Sequence, residues 1–294
     1  MRVNPYAMPD ILAALAQTQQ QQQTAMLQLA SGLRINSPSD DPAGAAALAQ
    51  IHDRSSQADS FLRSMGSLSG QLQTADSTLS SVVTALQRAI SLGVEGANGT
   101  LSDADRAALA NEVMGVRDQL LSLANVSYQG RFVFAGTAQT QPFVLDATSP
   151  SGIGYRGNTG VNAVTIGNGY QVQVNLPGSQ VFASPGADVF QAMSDLITGL
   201  QNNSGIDTAV AAVRTAFDHV TGQRVFYGNT LTQIDSQQAY LNGQKLQLSQ
   251  QENTVGGADM TAVASQLVNA ANAHNAALAA VAKTSQLSLF DFLK

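Results

Sequence analysis

The sequence contains no cysteine and no tryptophan, and it has few charged and aromatic residues. The absence of cysteine excludes a disulfide scaffold, thiolate catalysis and thiolate metal sites. Charged residues make up 12% of the 294 residues, which is about half of the usual share in globular proteins. The net charge of −6 and the lack of a basic cluster argue against a nucleic acid partner and against binding to an anionic membrane surface.

Long apolar runs are also missing. The first run, residues 11–16, leads into a glutamine-rich segment and is shorter than the roughly 7–15 apolar residues of a secretory signal. No run approaches the roughly 20 residues that a membrane-spanning helix needs. We therefore expect no ordinary signal peptide and no membrane span, and a chain that is either cytosolic or exported without cleavage.

Apolar residues instead recur with heptad spacing near both ends. Glutamine, alanine, histidine and threonine interrupt the two terminal rows, so each row predicts an amphipathic helix with too little apolar surface to be stable alone. We expect these helices to pair with each other or with neighbouring subunits. The rows are Met8, Leu12, Leu15, Gln19, Gln22, Met26, Leu29 and Leu33, and Met260, Val263, Leu267, Ala270, His274, Ala277, Val281 and Thr284.

The interior of the chain combines bundle helices with a shorter strand-like part. Residues 61–86, 109–123 and 206–248 carry apolar residues at helical spacing, which indicates helices that share a core. Between them, residues 161–166 and 170–176 flank a Gly-Asn-Gly loop, and the second segment alternates apolar and polar residues. This pattern predicts a β-hairpin.

The predicted fold is therefore mainly α: a long-helix bundle with its N- and C-terminal coiled-coil helices paired, plus a small inserted β-rich domain. The predicted segments are an N-terminal coiled-coil segment (1–45) paired with a C-terminal one (258–294), the two halves of the helical bundle (46–135 and 189–257), and the β-rich insert (136–188).

Patterns that could carry chemistry are few. His52, His219 and His274 have no partner at a metal-ligand spacing, so we expect structural or surface roles for them. Residues 152–157 match G-x-G-x-x-G, but no helix is predicted to follow, and we interpret them as a turn rather than a dinucleotide site. We therefore expect no enzymatic activity, no cofactor and no metal.

Two adjacent carboxylates need a separate interpretation. Asp40 and Asp41 could form a pair for acid–base chemistry. They directly precede Pro42, which is favoured at the first position of a helix, and Arg34 lies close in sequence. Helix capping and bracing of a loop are therefore the expected roles.

Both ends of the chain resemble a known family. Residues 29–44, LASGLRINSPSDDPAG, resemble the N-terminal signature of bacterial flagellins and their junction relatives. Residues 259–264 and 282–293 are similar to the C-terminal helix of the same family. The start, MRVN, and residues 130–143, GRFVFAGTAQTQPF, resemble the hook–filament junction members in particular. The sequence Gly-Leu-Arg at residues 32–34 resembles flagellin itself, so the filament protein stays an alternative.

The resemblance implies a structural role as an adaptor that connects the hook to the flagellin filament. It also implies secretion of the unfolded chain through the flagellar type III apparatus, with an uncleaved N-terminal signal, and a final location in the flagellum. The implied partners are a hook-side junction protein, flagellin, further copies of the chain in a helical ring, and an export chaperone before assembly. A filament-forming flagellin and a secreted helical effector or tip protein are the alternatives.

The resemblance further implies that the ends are disordered in the free monomer and pair on assembly. The segment from Arg34 to Gly44, called the junction loop below, lies between the terminal helix and the bundle and is expected to set their angle. Its candidate residues are Arg34, Asn36, Asp40 and Asp41. The candidate contact residues toward partners are Leu12, Leu15, Met26, Leu29, Leu33, Val263, Leu267, Ala270, Ala277 and Val281.

Overall fold

The computed structural model describes residues 7–167 and 169–292. Within these ranges the chain forms seven helices and eight short strands. The helices are α1 (Ala7–Ser31), α2 (Pro42–Gly96), α3 (Asp103–Ala124), α4 (Gly178–Val181), α5 (Val189–Asn202), α6 (Ile206–Gly256) and α7 (Met260–Phe292). The strands are β1 (Ser127–Tyr128), β2 (Arg131–Phe132), β3 (Phe143–Leu145), β4 (Ile153–Tyr155), β5 (Ala163–Gly167), β6 (Tyr170–Gln173), β7 (Ala183–Ser184) and β8 (Ala187–Asp188).

This architecture confirms the predicted fold class. Long helices dominate, the terminal helices α1 and α7 pack against each other, and the strands form small antiparallel sheets. The chain divides into two compact units, one with residues 1–57 and 243–294 and the other with residues 58–242. Both divisions fall inside the long helices α2 and α6. The predicted ends of the two terminal coiled-coil segments, after residue 45 and before residue 258, stay a prediction.

The second unit has one hydrophobic core that runs along its long helices. The predicted row on α2 is buried from Met65 to Leu86, and Val113 and Leu120 of α3 are fully enclosed. Helix α3 begins with the expected cap, because the Ser102 side chain accepts from the Asp105 backbone N–H in a reciprocal capping box. Apolar periodicity and capping chemistry therefore specify these helices together.

Four two-stranded hairpins extend the second unit. The first, β1–β2, begins at Ser127, before the predicted insert at 136–188. Aromatic rings fill the centre of this part of the unit: Phe143 and Phe182 meet edge to face with their centroids 5.5 Å apart. Phe134, Tyr155 and Phe190 pack around the same pair. The aromatic residues that are rare in the sequence are thus concentrated where short strands supply little other core.

The hairpin β5–β6 confirms the predicted strand pair, but its second strand ends at Gln173 rather than at residue 176. The side chain of Asn175 replaces the continuing ladder. Its Oδ1 accepts from Asn162 N over 2.6 Å, and its Nδ2 donates to the carbonyls of Gly136 and Gly160. A buried asparagine can satisfy several backbone groups at once, so the chain leaves strand geometry without losing hydrogen bonds.

The first unit contains α1, α7 and the adjoining ends of α2 and α6. Helix α1 ends where Gly32 takes a left-handed conformation, with φ of +71°, and donates its N–H to the Gln28 carbonyl. Glycine is favoured at this position because a Cβ is disfavoured there. Helix α7 begins after Asp259, whose carboxylate accepts from the N–H groups of Thr261 and Ala262.

Candidate functional site

The terminal helices α1 and α7 form an antiparallel pair. At one end Ala258 N donates to Gly32 O over 3.0 Å, and further along the pair the Thr18 hydroxyl lies 3.5 Å from His274 Nδ1. Ala25 and Ala270 are buried between the helices. Small side chains in the interface bring the two backbones close together. The expected pairing of the terminal helices is therefore present within one chain.

The C-terminal row lies where the heptad pattern predicted. Val263 and Ala270 are buried, and Leu267, Ala277 and Val281 are half-buried on the same face. These residues make up the side of α7 that packs toward α1. These residues therefore make contacts inside the chain, and their role toward partners stays a prediction.

The inward face of α1 coincides with the predicted N-terminal row only in part. Among the row residues from Leu12 to Leu33, Leu15 and Gln22 lie on the less exposed face, and at the other positions the inward residue comes one position earlier. The exposed fractions of the other candidate contact residues are 53% for Leu12, 49% for Met26, 36% for Leu29 and 42% for Leu33. The inward face is formed by Ile11, Leu15, Thr18, Gln22, Ala25 and Gln28.

This helix pair leaves four of the predicted contact residues exposed, and they are called the outer row below (Leu12, Met26, Leu29 and Leu33). Leu27 on α1 is also exposed, as are Val268 and Leu278 on α7. Their role in contacts with partners stays a prediction.

A groove of 730 Å³ runs along the helix pair. Its floor is formed by alanines, and its walls by amides and a hydroxyl, with no charged group among the lining residues. Such a surface can exchange hydrogen bonds with a polar helix but offers no nucleophile or acid–base pair. The lining residues are Gln17, Gln20, Gln21, Thr24, Ala25, Gln28, Gln266, Asn269, Ala270 and Ala273.

Main-chain hydrogen bonds hold the residues between α1 and the junction loop, and the first residue of the loop, to the turn between α6 and α7. Arg34 N donates to Gly256 O over 2.7 Å, and Leu33 and Gly257 form an isolated antiparallel bridge. Ala258 N also donates to Gly32 O, so main-chain pairing joins residues 32–34 to residues 256–258. The sequence alone did not single out this turn, although the glycine pair before the capping residue Asp259 is a helix-end signal that could have indicated it.

Arg34 adds a side-chain link to the same structure. Its Nη2 donates to Asp41 Oδ2 over 3.0 Å and to Val255 O over 2.8 Å. Asp41 also caps α2, because its Oδ1 accepts from Gly44 N over 2.9 Å. The expected capping and bracing role of Asp41 is thus present in the structure. The Gly44 N–H, followed by the Arg34 side chain, lowers the pKa of Asp41 below its ordinary value.

Asp40 and Asn36 shape the loop itself. Asp40 Oδ2 accepts from the backbone N–H groups of Asn36 and Ser37, over 3.0 and 2.8 Å, and Asn36 Nδ2 donates to Leu33 O. The two adjacent carboxylates therefore face different partners and do not form a catalytic pair. The junction loop brings all four of its candidate residues into one hydrogen-bonded structure.

The histidines lie in separate surroundings. His52 Nε2 is 2.8 Å from Glu252 Oε1, and His219 Nε2 is 2.8 Å from the Gln180 carbonyl. Among residues 7–167 and 169–292, no group of three or more histidines and carboxylates could hold a metal ion. None of the helices in the described ranges is long and apolar enough to cross a membrane.

Comparison with known proteins relates this arrangement to one family. The family model of the bacterial flagellin N-terminal helical region matches residues 6–139. Flagellar hook-associated protein 3 of Escherichia coli (strain K12) is 28% identical over 292 residues, which cover 91% of each chain. The protein of the same name from Salmonella typhimurium is 32% identical over 197 residues, which cover 64% of this chain and 58% of the relative.

A solved structure shares the fold. Hook-associated protein 3 from Legionella pneumophila superposes with a TM-score of 0.64 at 15% sequence identity, covering 70% of this chain and 98% of that one. The terminal motifs, the family model over residues 6–139 and the match along nearly the whole chain agree, and all three relate the protein to the bacterial flagellins and their hook-associated relatives.

Proposed function

We propose that this protein is a structural component of the bacterial flagellum and joins the hook to the flagellin filament. The observation that carries the proposal is the similarity to hook-associated protein 3 along 91% of both chains, which includes the terminal helices and the middle part. Its partners are a hook-side junction protein, flagellin and its own copies. The role is one of contact rather than catalysis.

The terminal helix pair supports such contacts. In residues 11–33 and 260–282, His274 is the one ionisable side chain. Identical copies can approach along these stretches without repulsion between like charges. The outer row offers apolar area, and the glutamine-lined groove offers amides. Contacts between different faces of successive copies build a helical array.

The junction loop supports the second requirement of an adaptor, a defined direction of the terminal pair. Its bonds tie the end of α1 to the turn before α7, and Arg34 ties the start of α2 to the end of α6. A subunit that receives the hook on one side and the filament on the other needs such fixed geometry. The loop is the element that provides it within the first unit.

Export belongs to the same proposal. The chain would leave the cell unfolded through the flagellar type III apparatus, without cleavage and with a chaperone bound before assembly. The weak apolar rows of both ends fit a segment that is ordered only when it is paired.

A deletion strain tests the proposed role. We expect complete hooks, no filaments, and flagellin released into the medium, with filaments restored by a plasmid-borne copy of the gene. Gold-labelled antibody against this protein should mark a single band between hook and filament. Decoration along the whole filament would instead identify a filament flagellin. Normal filaments in the deletion strain would contradict a role in the flagellum and favour a separate secreted effector.

A further inference from the structure

We propose that Asn98 is a site of spontaneous deamidation, at which the loop itself assists the conversion to aspartyl and isoaspartyl residues. Asn98 and Gly99 lie in the exposed connection between α2 and α3. The inference is independent of the proposed function.

The first observation concerns the oxygen of the side-chain amide. Asn98 Oδ1 accepts two hydrogen bonds from the same residue, from Thr100 N over 3.1 Å and from Thr100 Oγ1 over 2.9 Å. These donors point at the oxygen on which negative charge develops when a nucleophile attacks Asn98 Cγ. Donors already in place around such an oxygen lower the barrier to attack.

The second observation concerns the nucleophile, the main-chain nitrogen of Gly99. In the described part of the chain no group accepts a hydrogen bond from the Gly99 N–H, although Asn98 N and Leu101 N both donate. No side chain crowds Gly99, because a Cβ built there would have no heavy atom within 4 Å. The nitrogen is therefore free to lose its proton and to approach the amide carbon.

The same dipeptide in a helix provides the contrast. Asn242 and Gly243 lie inside α6, where the Gly243 N–H is engaged in the helical pattern of donation to the carbonyl four residues earlier. Closing a ring there would require the Asn242 ψ angle to leave the helical value of about −42°. The helix thus blocks at residue 242 the step that the loop permits at residue 98.

The reaction balances with water and hydroxide alone. Hydroxide removes the Gly99 N–H proton, the nitrogen forms a bond to Asn98 Cγ, and the carbonyl electron pair moves to Oδ1. That pair returns as the bond to Nδ2 breaks, and ammonia leaves with a proton from water. Water then opens the cyclic imide at either carbonyl, which gives an aspartyl or an isoaspartyl linkage.

The two products have different structural consequences. An aspartyl residue at 98 keeps the main chain intact and adds a negative charge. An isoaspartyl linkage routes the chain through Cγ, which displaces the hydrogen bonds from Asn98 N to Glu95 O and from Leu101 N to Asn98 O. These bonds form the turn that leads from α2 to the capping box of α3.

Peptide mapping of the intact protein tests the proposal. Cleavage after arginine and lysine places Asn98 in peptide 89–106 and Asn242 in peptide 225–245. After incubation of the folded protein at neutral pH, we expect conversion in peptide 89–106 and none in peptide 225–245, with a rate that increases with pH. Mass and elution identify the products, and an isoaspartyl methyltransferase labels the isoaspartyl form.

Variants of Thr100 separate assistance by the loop from the reactivity of any Asn-Gly pair. Thr100→Val keeps the backbone donor and removes the hydroxyl, and we expect about fivefold slower conversion, or about 1 kcal/mol. Thr100→Ser keeps the hydroxyl and should convert at the rate of the unchanged protein. Gly99→Ala should lose most of the conversion, because its Cβ hinders the nitrogen.

The synthetic peptide 89–106 gives the reference rate without the fold. Conversion in the folded protein at least as fast as in this peptide supports the proposal. Slower conversion in the folded protein, equal conversion at residues 98 and 242, or no effect of Thr100→Val would overturn it.

Discussion

The guanidinium of Arg34 donates a hydrogen bond to the backbone carbonyl of Val255 over 2.8 Å, although the two residues are 221 positions apart. Val255 lies at the C-terminal end of α6, where carbonyl groups lack helical partners and a cation is favourable. The same Nη2 atom also binds Asp41. One side chain therefore joins the end of α6 to the start of α2.

Replacement of Arg34 by alanine is expected to loosen this connection without unfolding the chain. The lost hydrogen bonds are worth about 1 kcal/mol, because the side chain is half exposed and its ion pair is screened by water. Hydrogen exchange at Gly257 and Ala258 should become about fivefold faster, while exchange in the α3 core stays unchanged.

Two further variants test the cause. Arg34→Lys keeps the charge but has a single ammonium group, so it should recover only part of the protection. Arg63→Ala removes an exposed arginine of α2 in the other unit and should leave exchange at Gly257 and Ala258 as it is. Equal protection in the Arg34→Ala protein and the unchanged protein would show that main-chain bonds alone hold the loop.

Replacing two glycines of α2 by alanine should change the free energy of unfolding in opposite directions. A Cβ at Gly44 would collide with the Ile35 side chain and the Asp41 carboxylate, whereas Gly66 has open space around it. We expect Gly44→Ala to destabilise the first unit by about 1–3 kcal/mol through overpacking. Gly66→Ala should stabilise the protein by about 0.5–1 kcal/mol, since alanine favours a helix interior. Thermal unfolding followed by circular dichroism measures both, and equal signs would contradict the packing of the junction loop.

The two terminal helices show how far heptad spacing predicts contacts. On α7 the predicted row and the inward face coincide from Val263 to Val281, because alanines and a few larger residues leave one consistent apolar stripe. On α1 the large residues Met26 and Leu29 point outward, while Ala25 and Thr18 point to α7. Hydrophobicity alone predicts that methionine and leucine lie in the interior. Because α7 is rich in alanine and packs close to α1, small side chains of α1 fit between the two helices instead.

The junction loop shows a different limit. Its cap at Asp41 and its pairing with Arg34 follow from residue type and short spacing, and both are present. The contacts of Arg34 with Val255 and Gly256 join distant parts of the chain, and spacing in a single sequence carries no information on them. The early end of β6 has a similar cause, since the role of Asn175 depends on the distant carbonyls of Gly136 and Gly160.

The stability of the junction loop should depend on acid pH through Asp41. Hydrogen bonds from Gly44 N–H and then from Arg34 lower the pKa of this carboxyl in the folded protein. A lowered pKa means that the stabilisation is complete above the ordinary value of about 3.9 and is lost as the pH falls through the folded-state pKa. Hydrogen exchange of the loop, corrected for the intrinsic pH dependence, should therefore accelerate below about pH 4.

Asp41→Asn is the matched variant for this titration. Asparagine remains a good N-cap but carries no titrating charge and pairs weakly with Arg34. The acid-dependent acceleration should disappear in this variant, and exchange at neutral pH should be moderately faster than in the unchanged protein. An identical acid profile in both proteins would assign the effect to other carboxylates.

The charge of Asp188 is expected to destabilise the folded protein, in contrast to the charge of Asp41. Burial raises the pKa of this carboxyl, so its charge opposes folding at neutral pH, although its oxygen caps α5 by accepting from Gln191 N. Asp188→Asn keeps the acceptor and removes the charge, and its Tm at neutral pH should equal or exceed that of the unchanged protein. Asp188→Ala loses the cap, at a cost of about 1 kcal/mol. The advantage of asparagine should shrink as the pH falls and Asp188 takes up its proton, which thermal melts at several pH values will measure.

The outer row of α1 should matter for assembly more than for the fold of one chain. Met26→Gln and Leu29→Gln replace side chains that are already partly in water, so each should change the free energy of unfolding by less than about 0.5 kcal/mol. If copies or flagellar partners cover this row, as the proposed function requires, each change removes up to about 1.5–3 kcal/mol per contact. The number of attached filaments in a complemented deletion strain should then fall. Leu145→Gln, at an exposed leucine of β3, is the matched control and should restore filaments fully.

Ala25→Gln inserts an amide into the buried face of the pair and should lower the stability of the isolated chain as well. Full motility with both outer-row variants would leave the inward face of the pair, rather than the outer row, as the surface on which assembly depends.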